Sequence, residues 1–266
     1  MKIGISTASF FTKESTDAAF ELINKAKIPL CEVFLCTLSE YEPDFVRTLK
    51  DLQSCTEIYS IHSLNQQYEP ELFNPLEKTR KDCERIFRQV AKCCRFLDAK
   101  CYIFHGPAQM KKLPFTFDYQ KIGKRMEELR EIMREESENT EVCYENVHWA
   151  HFKTPEFFEK LRVHTDVKTC LDIKQAMLSG YDIYDYIKVM DGRIENVHLC
   201  DYDSDGRLAL PGKGNFDFIK LFRTLKEAGY TKPAMLEVYP SSYVNYDELM
   251  QSMDFLNECV FKANNN

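Results

Sequence analysis

Residues 168–172 read Lys-Thr-Cys-Leu-Asp, a short run in which apolar side chains lead to a carboxylate. The pattern recurs at residues 141–145, Glu-Val-Cys-Tyr-Glu, and at residues 234–238, Ala-Met-Leu-Glu-Val. Continuous apolar runs of this length are typical of strands that are buried on both faces in a parallel sheet. Because burying an unpaired carboxylate costs free energy, the acidic residues in these strands need a partner.

Eight such runs are spread along the chain, and longer segments with helical periodicity lie between them. The clearest helix is predicted from Asn74-Pro75, an N-cap followed by proline, through Leu97. The eight predicted strands are Lys2–Ser6, Cys31–Leu35, Glu57–His62, Lys100–Phe104, Glu141–Glu145, Lys168–Asp172, Ile194–Leu199 and Ala234–Val238. The other seven predicted helices are Thr16–Ala26, Glu42–Leu52, Tyr119–Glu135, Pro155–Leu161, Asp182–Met190, Phe216–Ala228 and Asp247–Lys262.

Eight strands that alternate with eight helices in a chain of 266 residues predict an α/β fold, the (βα)8 or TIM barrel. No low-complexity linker divides the sequence, so residues 1–266 are interpreted as a single domain. The alternative is a doubly wound open sheet, which usually has fewer strands and often a glycine-rich turn after the first one. Here Ser6-Thr7-Ala8-Ser9 follows the first strand, which favours the barrel.

The composition of the chain argues against a nucleic-acid-binding protein and against a membrane-spanning one. The net charge of −7 argues against a nucleic-acid surface. No stretch approaches 18 apolar residues, so no membrane span is predicted. The N-terminus enters a strand directly and does not resemble a signal peptide. With 11 scattered cysteines read as reduced core residues, we expect a cytoplasmic protein.

Polar side chains stand at or near the ends of six predicted strands. In a barrel the C-terminal ends of all strands meet at one rim, where active sites are built. Carboxylates and imidazoles gathered there suit one divalent metal, with Mn²⁺, Zn²⁺, Co²⁺ and Mg²⁺ all open. Each histidine alone could equally be a packed rim residue that donates to a carbonyl group. The six residues are His62, His105, Glu145, Asp172, His198 and Glu237.

Five short strings, in this order along the chain, resemble the xylose isomerase-like barrel superfamily. This superfamily includes sugar isomerases, ketose 3-epimerases, inosose dehydratases and the endonuclease IV type of DNA repair enzyme. The strings are Tyr144-Glu145-Asn146, Leu171-Asp172-Ile173, Asn196-Val197-His198-Leu199, Leu210-Pro211-Gly212-Lys213-Gly214 and Leu236-Glu237-Val238.

The resemblance implies a ligand set and a chemistry. It implies that Glu145, Asp172, His198 and Glu237 bind one divalent metal. It also implies that Glu145 and Glu237 act as the acid/base pair in the epimerase branch. A metal polarises a carbonyl or hydroxyl pair, and one carboxylate removes the proton from the neighbouring carbon while the other returns one.

Two departures from the family pattern affect the function. Gln175 stands where family members commonly have a histidine, three residues after Asp172, and glutamine cannot shuttle a proton. That histidine, and a second one in the loop 203–210, would be needed for the third zinc site of the repair enzymes. We therefore expect Gln175, with His62, His105 and Arg207, to contact substrate.

The leading hypothesis is a metal-dependent isomerase or epimerase that acts on a small sugar or sugar phosphate. A phosphate would be bound by the turn Gly212-Lys213-Gly214, just before a predicted helix. The alternatives are a polyol dehydratase of the inosose dehydratase type, an endonuclease IV-like phosphodiesterase on abasic DNA, and a sugar-binding barrel without turnover. Whether the chain forms a homo-oligomer stays open.

Overall fold

The computed structural model describes residues 1–64, 68–107 and 118–265. Its eight parallel strands close into a barrel in the order β1-β10-β7-β6-β5-β4-β3-β2, which confirms the predicted (βα)8 class. The predicted strands are confirmed to within two residues at each end. The barrel strands are β1 Ile3–Ser6, β2 Leu30–Leu35, β3 Glu57–Ser63, β4 Cys101–Phe104, β5 Glu141–Glu145, β6 Lys168–Asp172, β7 Ile194–Leu199 and β10 Ala234–Leu236.

A short antiparallel hairpin follows β7, where the alternation of strand and helix would place a helix. It consists of β8 Asp201–Tyr202 and β9 Leu208–Ala209 and was not predicted. Strands of two residues carry too little periodicity to be recognised in a sequence.

The described residues form nine α-helices. The eight predicted helices are present, but α3 begins at Glu77 rather than at Pro75, since the Asn74 carboxamide accepts from the amide of Leu76 in the turn before the helix. The helix that was not predicted is α6. The helices are α1 Thr16–Lys25, α2 Pro43–Leu52, α3 Glu77–Phe96, α4 Tyr119–Glu136, α5 Pro155–Leu161, α6 Ile173–Ser179, α7 Ile183–Val189, α8 Phe218–Glu227 and α9 Tyr246–Asn265.

Two apolar regions hold the barrel together. The larger one lies between the outward faces of the strands and the surrounding helices, where residues such as Val142, Leu171 and Phe87 are fully buried. Helix α3 has a buried face of this kind at Phe87, Val90, Ala91 and Cys94 because these side chains recur with helical spacing.

The smaller apolar cluster fills part of the barrel interior and lies below the polar residues of the rim. Side chains two residues apart on a strand point to the same face. Five members of this cluster precede a buried polar residue by two positions, so the cluster and the polar residues share the interior. The pairs are Leu30 and Glu32, Ile103 and His105, Cys143 and Glu145, Cys170 and Asp172, and Met235 and Glu237.

Within the described residues, no helix is both long enough and apolar enough to cross a membrane.

Candidate metal centre

The four predicted metal ligands converge on one ring nitrogen. The Nδ1 atom of His198 lies 3.2 Å from Oε1 of Glu145, 2.9 Å from Oε2 of Glu237 and 3.5 Å from Oδ2 of Asp172. Strands β5, β6, β7 and β10 are consecutive in the barrel, and each contributes one residue at or just after its C-terminal end. All four side chains are buried.

Three buried carboxylates thus surround Nδ1 of His198. A single N–H can donate to one carboxylate, yet three surround it. Among the described residues, Oδ2 of Asp172 and Oε2 of Glu237 have no hydrogen-bond partner although both are buried. Among the described residues, the groups whose possible ligand atoms all lie within 4.8 Å of one another are Glu32, His62, His198 and Glu237; His62, His105 and Glu145; and Glu145, Cys170 and His198. The buried carboxylates and imidazoles of the rim therefore suit a divalent metal. The predicted set of Glu145, Asp172, His198 and Glu237 is not one of these groups, and it stays a prediction.

The charges of this group lead to the same conclusion. Burial raises the pKa of the Glu145 carboxyl, but the hydrogen bond and charge of His198, with the charge of His105, outweigh burial and lower the pKa to about 2. Burial lowers the pKa of His198, while its interactions with Cys170, Glu237 and Glu32 raise the pKa well above its usual value. The cluster thus carries several negative charges, which favour a bound cation.

Glu32 on β2 belongs to the centre and was missed in the sequence. Its carboxylate is fully buried, and it accepts hydrogen bonds from Ser60 Oγ at 2.7 Å and Asn196 Nδ2 at 2.9 Å. Nε2 of His198 lies 3.1 Å from its Oε2. If Nε2 donates this bond, the lone pair of Nδ1 is directed at the three carboxylates, the arrangement of a carboxylate–histidine–metal triad.

A chain of side chains joins Glu32 to the opposite side of the rim. Nδ1 of His62 lies 3.3 Å from Glu32, the Nε2 atoms of His62 and His105 are 2.8 Å apart, and Nδ1 of His105 lies 3.1 Å from Glu69. Every ring nitrogen is satisfied when His105 carries two protons and His62 one. This agrees with the pKa of His105, which burial lowers but Glu69 and Glu145 raise above its usual value.

Lys174 enters the centre from α6 and was also missed. Its Nζ donates to Oε1 of Glu237 at 3.0 Å and lies 3.7 Å from Oδ2 of Asp172. It also lies 4.8 Å from the centre of the Tyr239 ring. Burial lowers the pKa of Lys174, but Glu237 and Asp172 raise it well above its usual value, so the ammonium form persists.

Of the four residues expected to contact substrate, His62 and His105 belong to the row of side chains between Glu32 and Glu69. The other two, Gln175 and Arg207, contact other residues of the protein. The side-chain oxygen of Gln175 lies 2.6 Å from Nδ1 of His148. Arg207 is largely exposed and pairs with Asp205 at 3.2 Å within the β8–β9 hairpin.

The turn that we expected to bind phosphate already holds an anion. The carboxylate of Asp201 accepts from the backbone amides of Gly212, Gly214 and Phe216 at 3.0–3.1 Å. A Cβ on Gly214 would lie 2.3 Å from this carboxylate, so glycine is needed for the close approach. The phosphate interpretation of these amides is therefore wrong.

Comparison with known proteins places this geometry in a family. A family model described as the xylose isomerase-like TIM barrel matches residues 19–259, and no match was found among curated protein sequences. Similar solved structures include a D-tagatose 3-epimerase-like protein (TM-score 0.81, 21% identity, covering 99% of this chain and 98% of the other). They also include D-psicose 3-epimerase with D-tagatose from Clostridium cellulolyticum H10 (TM-score 0.77, 15% identity, 98% and 99%).

A third similar structure is the IOLI protein with a binding zinc atom (TM-score 0.74, 19% identity, 99% and 98%). At these identities the structures establish the fold and not the substrate. The family model covers most of the sequence, and the closed barrel agrees with it. The chain belongs to the xylose isomerase-like TIM barrel family.

Proposed function

We propose that this protein is a divalent-metal-dependent epimerase or isomerase of a small, unphosphorylated ketose. The observation that carries the proposal is the convergence of Glu145, Asp172 and Glu237 on Nδ1 of His198. The names of the similar solved structures, which include D-tagatose and D-psicose 3-epimerases, support the same class of reaction.

The chain's own residues provide the proton transfers. Glu145, Asp172, His198 and Glu237 would hold the metal, which supplies polarisation of the carbonyl and hydroxyl oxygens of the substrate. Glu145 and Glu237 come from β5 and from the end of β10, which are separated by β6 and β7 in the barrel. One carboxylate can take the proton from the carbon beside the carbonyl, and the other can return a proton to the opposite face of that carbon.

The surroundings of the two glutamates favour different roles. Nε2 of His105 lies 3.4 Å from Oε2 of Glu145, and the protonated ring can supply a proton there. Burial raises the pKa of Glu237, but the charges of His198 and Lys174 outweigh burial and hold the pKa well below its usual value, because an adjacent positive charge favours the carboxylate form. Because the pKa of both carboxyl groups is lowered, both are ionised before reaction. We propose that Glu237 removes the proton and that Glu145, once supplied with a proton by His105, returns it.

The substrate is proposed to lack a phosphate group. The backbone amides that would bind a phosphate are occupied by Asp201. A net charge of −7 also disfavours an anionic substrate.

The test is hydrogen exchange in heavy water. The purified protein is incubated with Mn²⁺ and a panel of ketopentoses and ketohexoses in D₂O, and the products are analysed by NMR and mass spectrometry. We expect deuterium at the carbon beside the carbonyl, together with the epimer. In Glu145→Gln and Glu237→Gln we expect turnover to fall by about 10²–10⁴-fold without loss of the fold.

The control variant is Glu141→Gln, at the other end of β5, where the carboxylate pairs with Arg130 at 3.2 Å. Glu141→Gln should incorporate deuterium into the substrate at the wild-type rate. Full activity in either site variant would refute the assignment, and a product lighter by one water would identify a dehydratase.

A sugar-binding barrel without turnover is the second candidate. The observation in its favour is Gln175, which cannot shuttle a proton and is bound to His148. Sugar binding measured by calorimetry, without deuterium incorporation for any ketose, would select this candidate.

A further inference from the structure

Lys174 is a fixed positive charge inside the group of proposed metal ligands. It is the second residue of α6, which begins directly after Asp172, and only 3% of its surface is exposed. Its Nζ lies 3.0 Å from Oε1 of Glu237 and 3.7 Å from Oδ2 of Asp172. The carboxylates that it contacts are two of the three that would ligate the metal.

The buried site contains more negative charges than one divalent metal can balance, which explains how it can also hold the Lys174 ammonium. Glu145, Asp172 and Glu237 bring three negative charges to one buried site. A divalent metal leaves one of these three uncompensated, and the buried carboxylate of Glu32 beside His198 adds a fourth negative charge. Without the metal, these charges are balanced by protons, including those on the histidines, and by Lys174. Buried carboxylates without compensation are strongly destabilising.

We propose that the Lys174 ammonium is a built-in counter-cation of the metal site, which shares Asp172 and Glu237 with the metal, weakens metal binding and stabilises the metal-free barrel. This inference rests on the ligand set of the proposed function and adds to it a residue that sets how tightly the metal is held.

Two opposite effects follow from the same charge. With the metal present, two cations are held by the same carboxylates and repel each other across a few ångströms of poorly screened interior. With the metal removed, the ammonium remains hydrogen-bonded to Glu237 and offsets part of the repulsion among the carboxylates. Replacing Lys174 with a neutral side chain should therefore strengthen metal binding and destabilise the metal-free protein.

The experiment compares wild type, Lys174→Met and Lys174→Gln after removal of metal with a chelator. Mn²⁺ and Zn²⁺ affinity is measured by calorimetry, and the melting temperature is measured in EDTA and in saturating metal. The matched control is Lys168→Met, which removes an ion-paired lysine at the opposite end of β6, where Lys168 lies 3.7 Å from Glu195.

We expect the Lys174 variants to bind metal at least about tenfold more tightly than wild type. We also expect them to melt at a lower temperature in EDTA and to recover when metal is added, while Lys168→Met binds metal like wild type. Wild-type or weaker affinity in both folded Lys174 variants would overturn the inference. If neither variant folds in EDTA, both are purified with Mn²⁺, and slower loss of Mn²⁺ to EDTA than in wild type is required.

The outcomes separate this inference from the proposed function. Equal metal binding by wild type and Lys174→Met refutes the role of Lys174 and leaves the metal-dependent enzyme standing. Metal binding by Lys174→Met but not by wild type refutes the metal-dependent function and supports Lys174 as the resident cation. If neither protein binds metal, both proposals fail.

Discussion

At the scale of single residues, the orientation of His198 depends on Glu32. Oε2 of Glu32 lies 3.1 Å from Nε2 of His198 and is also bonded to Ser60 and Asn196. If Nε2 donates this bond, Nδ1 carries no hydrogen and can bind the proposed metal. Losing such a bond to a ligating histidine typically weakens metal binding about 10–100-fold.

We therefore predict that Glu32→Gln lowers Mn²⁺ affinity by about 10–100-fold while the protein remains folded. The measurement is calorimetric titration, with circular dichroism as the check on folding. The control is Glu195→Gln on β7, where the carboxylate pairs with Lys232 at 3.2 Å and with Lys168. Unchanged affinity in Glu32→Gln would show that Glu32 does not orient His198.

The sequence predicted part of this centre and missed the rest for identifiable reasons. Glu145, Asp172, His198 and Glu237 lie at or near the ends of predicted strands, and the barrel rule places such residues together. Glu32 gave the same signal, a carboxylate in an apolar run, but it stands in the middle of Leu30–Leu35. Its contact with His198 joins residues 166 positions apart, and that pairing depends on the closed barrel.

At the scale of elements, Asp172 belongs both to the N-terminus of helix α6 and to the proposed metal site. Oδ1 of Asp172 accepts from the amide of Gln175 at 2.7 Å and caps the helix, while Oδ2 faces His198. The helix ends at Gly180, whose φ of 76° suits glycine. Because α6 follows β6 directly, no turn residues in the sequence mark where the helix begins. The helix was therefore not predicted, and Lys174 was not recognised as a residue of the site.

These two roles of Asp172 can be separated by substitution. We predict that Asp172→Asn keeps the cap and near-wild-type stability in EDTA but binds metal at least about tenfold more weakly, since an amide nitrogen replaces a ligand oxygen. Asp172→Ala should lose metal binding and also about 1 kcal/mol of stability with the cap.

Urea unfolding in EDTA and metal titration measure the two effects of Asp172. Asp182→Asn is the control, because Asp182 caps α7 by accepting from the amide of Tyr184. Strong metal binding by Asp172→Asn would contradict its assignment as a ligand.

The β8–β9 hairpin and the turn after it are held by Asp201. One carboxylate oxygen accepts from the amides of Tyr202 and Phe216, and the other accepts from those of Gly212 and Gly214. Asparagine would present an NH₂ group to two of these amides. Hydrogen bonds to a charged group contribute about 1.5–3 kcal/mol each, so their loss should be measurable.

We predict that Asp201→Asn lowers the free energy of unfolding by about 2–3 kcal/mol, measured by urea denaturation. Asp205→Asn is the matched control on the same hairpin. Its carboxylate is exposed and pairs only with exposed Arg207 in the described structure, so its loss should change stability by less than about 1 kcal/mol. Similar effects of the two substitutions would show that the amides around Asp201 do not depend on its charge.

At the scale of the whole molecule, successive side chains of each barrel strand alternate between the barrel interior and the surrounding helices. Inward positions pass from apolar residues such as Cys143 and Met235 to carboxylates two residues later, so the apolar layer supports a polar rim. The continuous apolar runs, which alternate with segments of helical periodicity, let the sequence predict fold class and strand bounds. Strand β1 pairs with β10, which joins the two ends of the barrel, and we propose on this basis that residues 1–266 form one domain.

The final prediction concerns the stability of the barrel as a unit. The four proposed ligands lie on four consecutive strands, so a metal that binds them connects half of the barrel and binds only the folded state. At a free metal concentration 100 times the dissociation constant, binding stabilises the folded state by about 2.7 kcal/mol. For a chain of this size that corresponds to a rise of about 5–10 °C in melting temperature.

The measurement is a thermal melt of metal-free protein with and without Mn²⁺, repeated on Glu237→Gln. The shift should be lost in the variant, since Glu237 provides one of the two buried carboxylate oxygens that have no hydrogen-bond partner in the described structure. An equal shift in both proteins would mean that Mn²⁺ acts on surface carboxylates. Because the chain has 42 acidic residues, this comparison is needed before any stabilisation can be assigned to the rim.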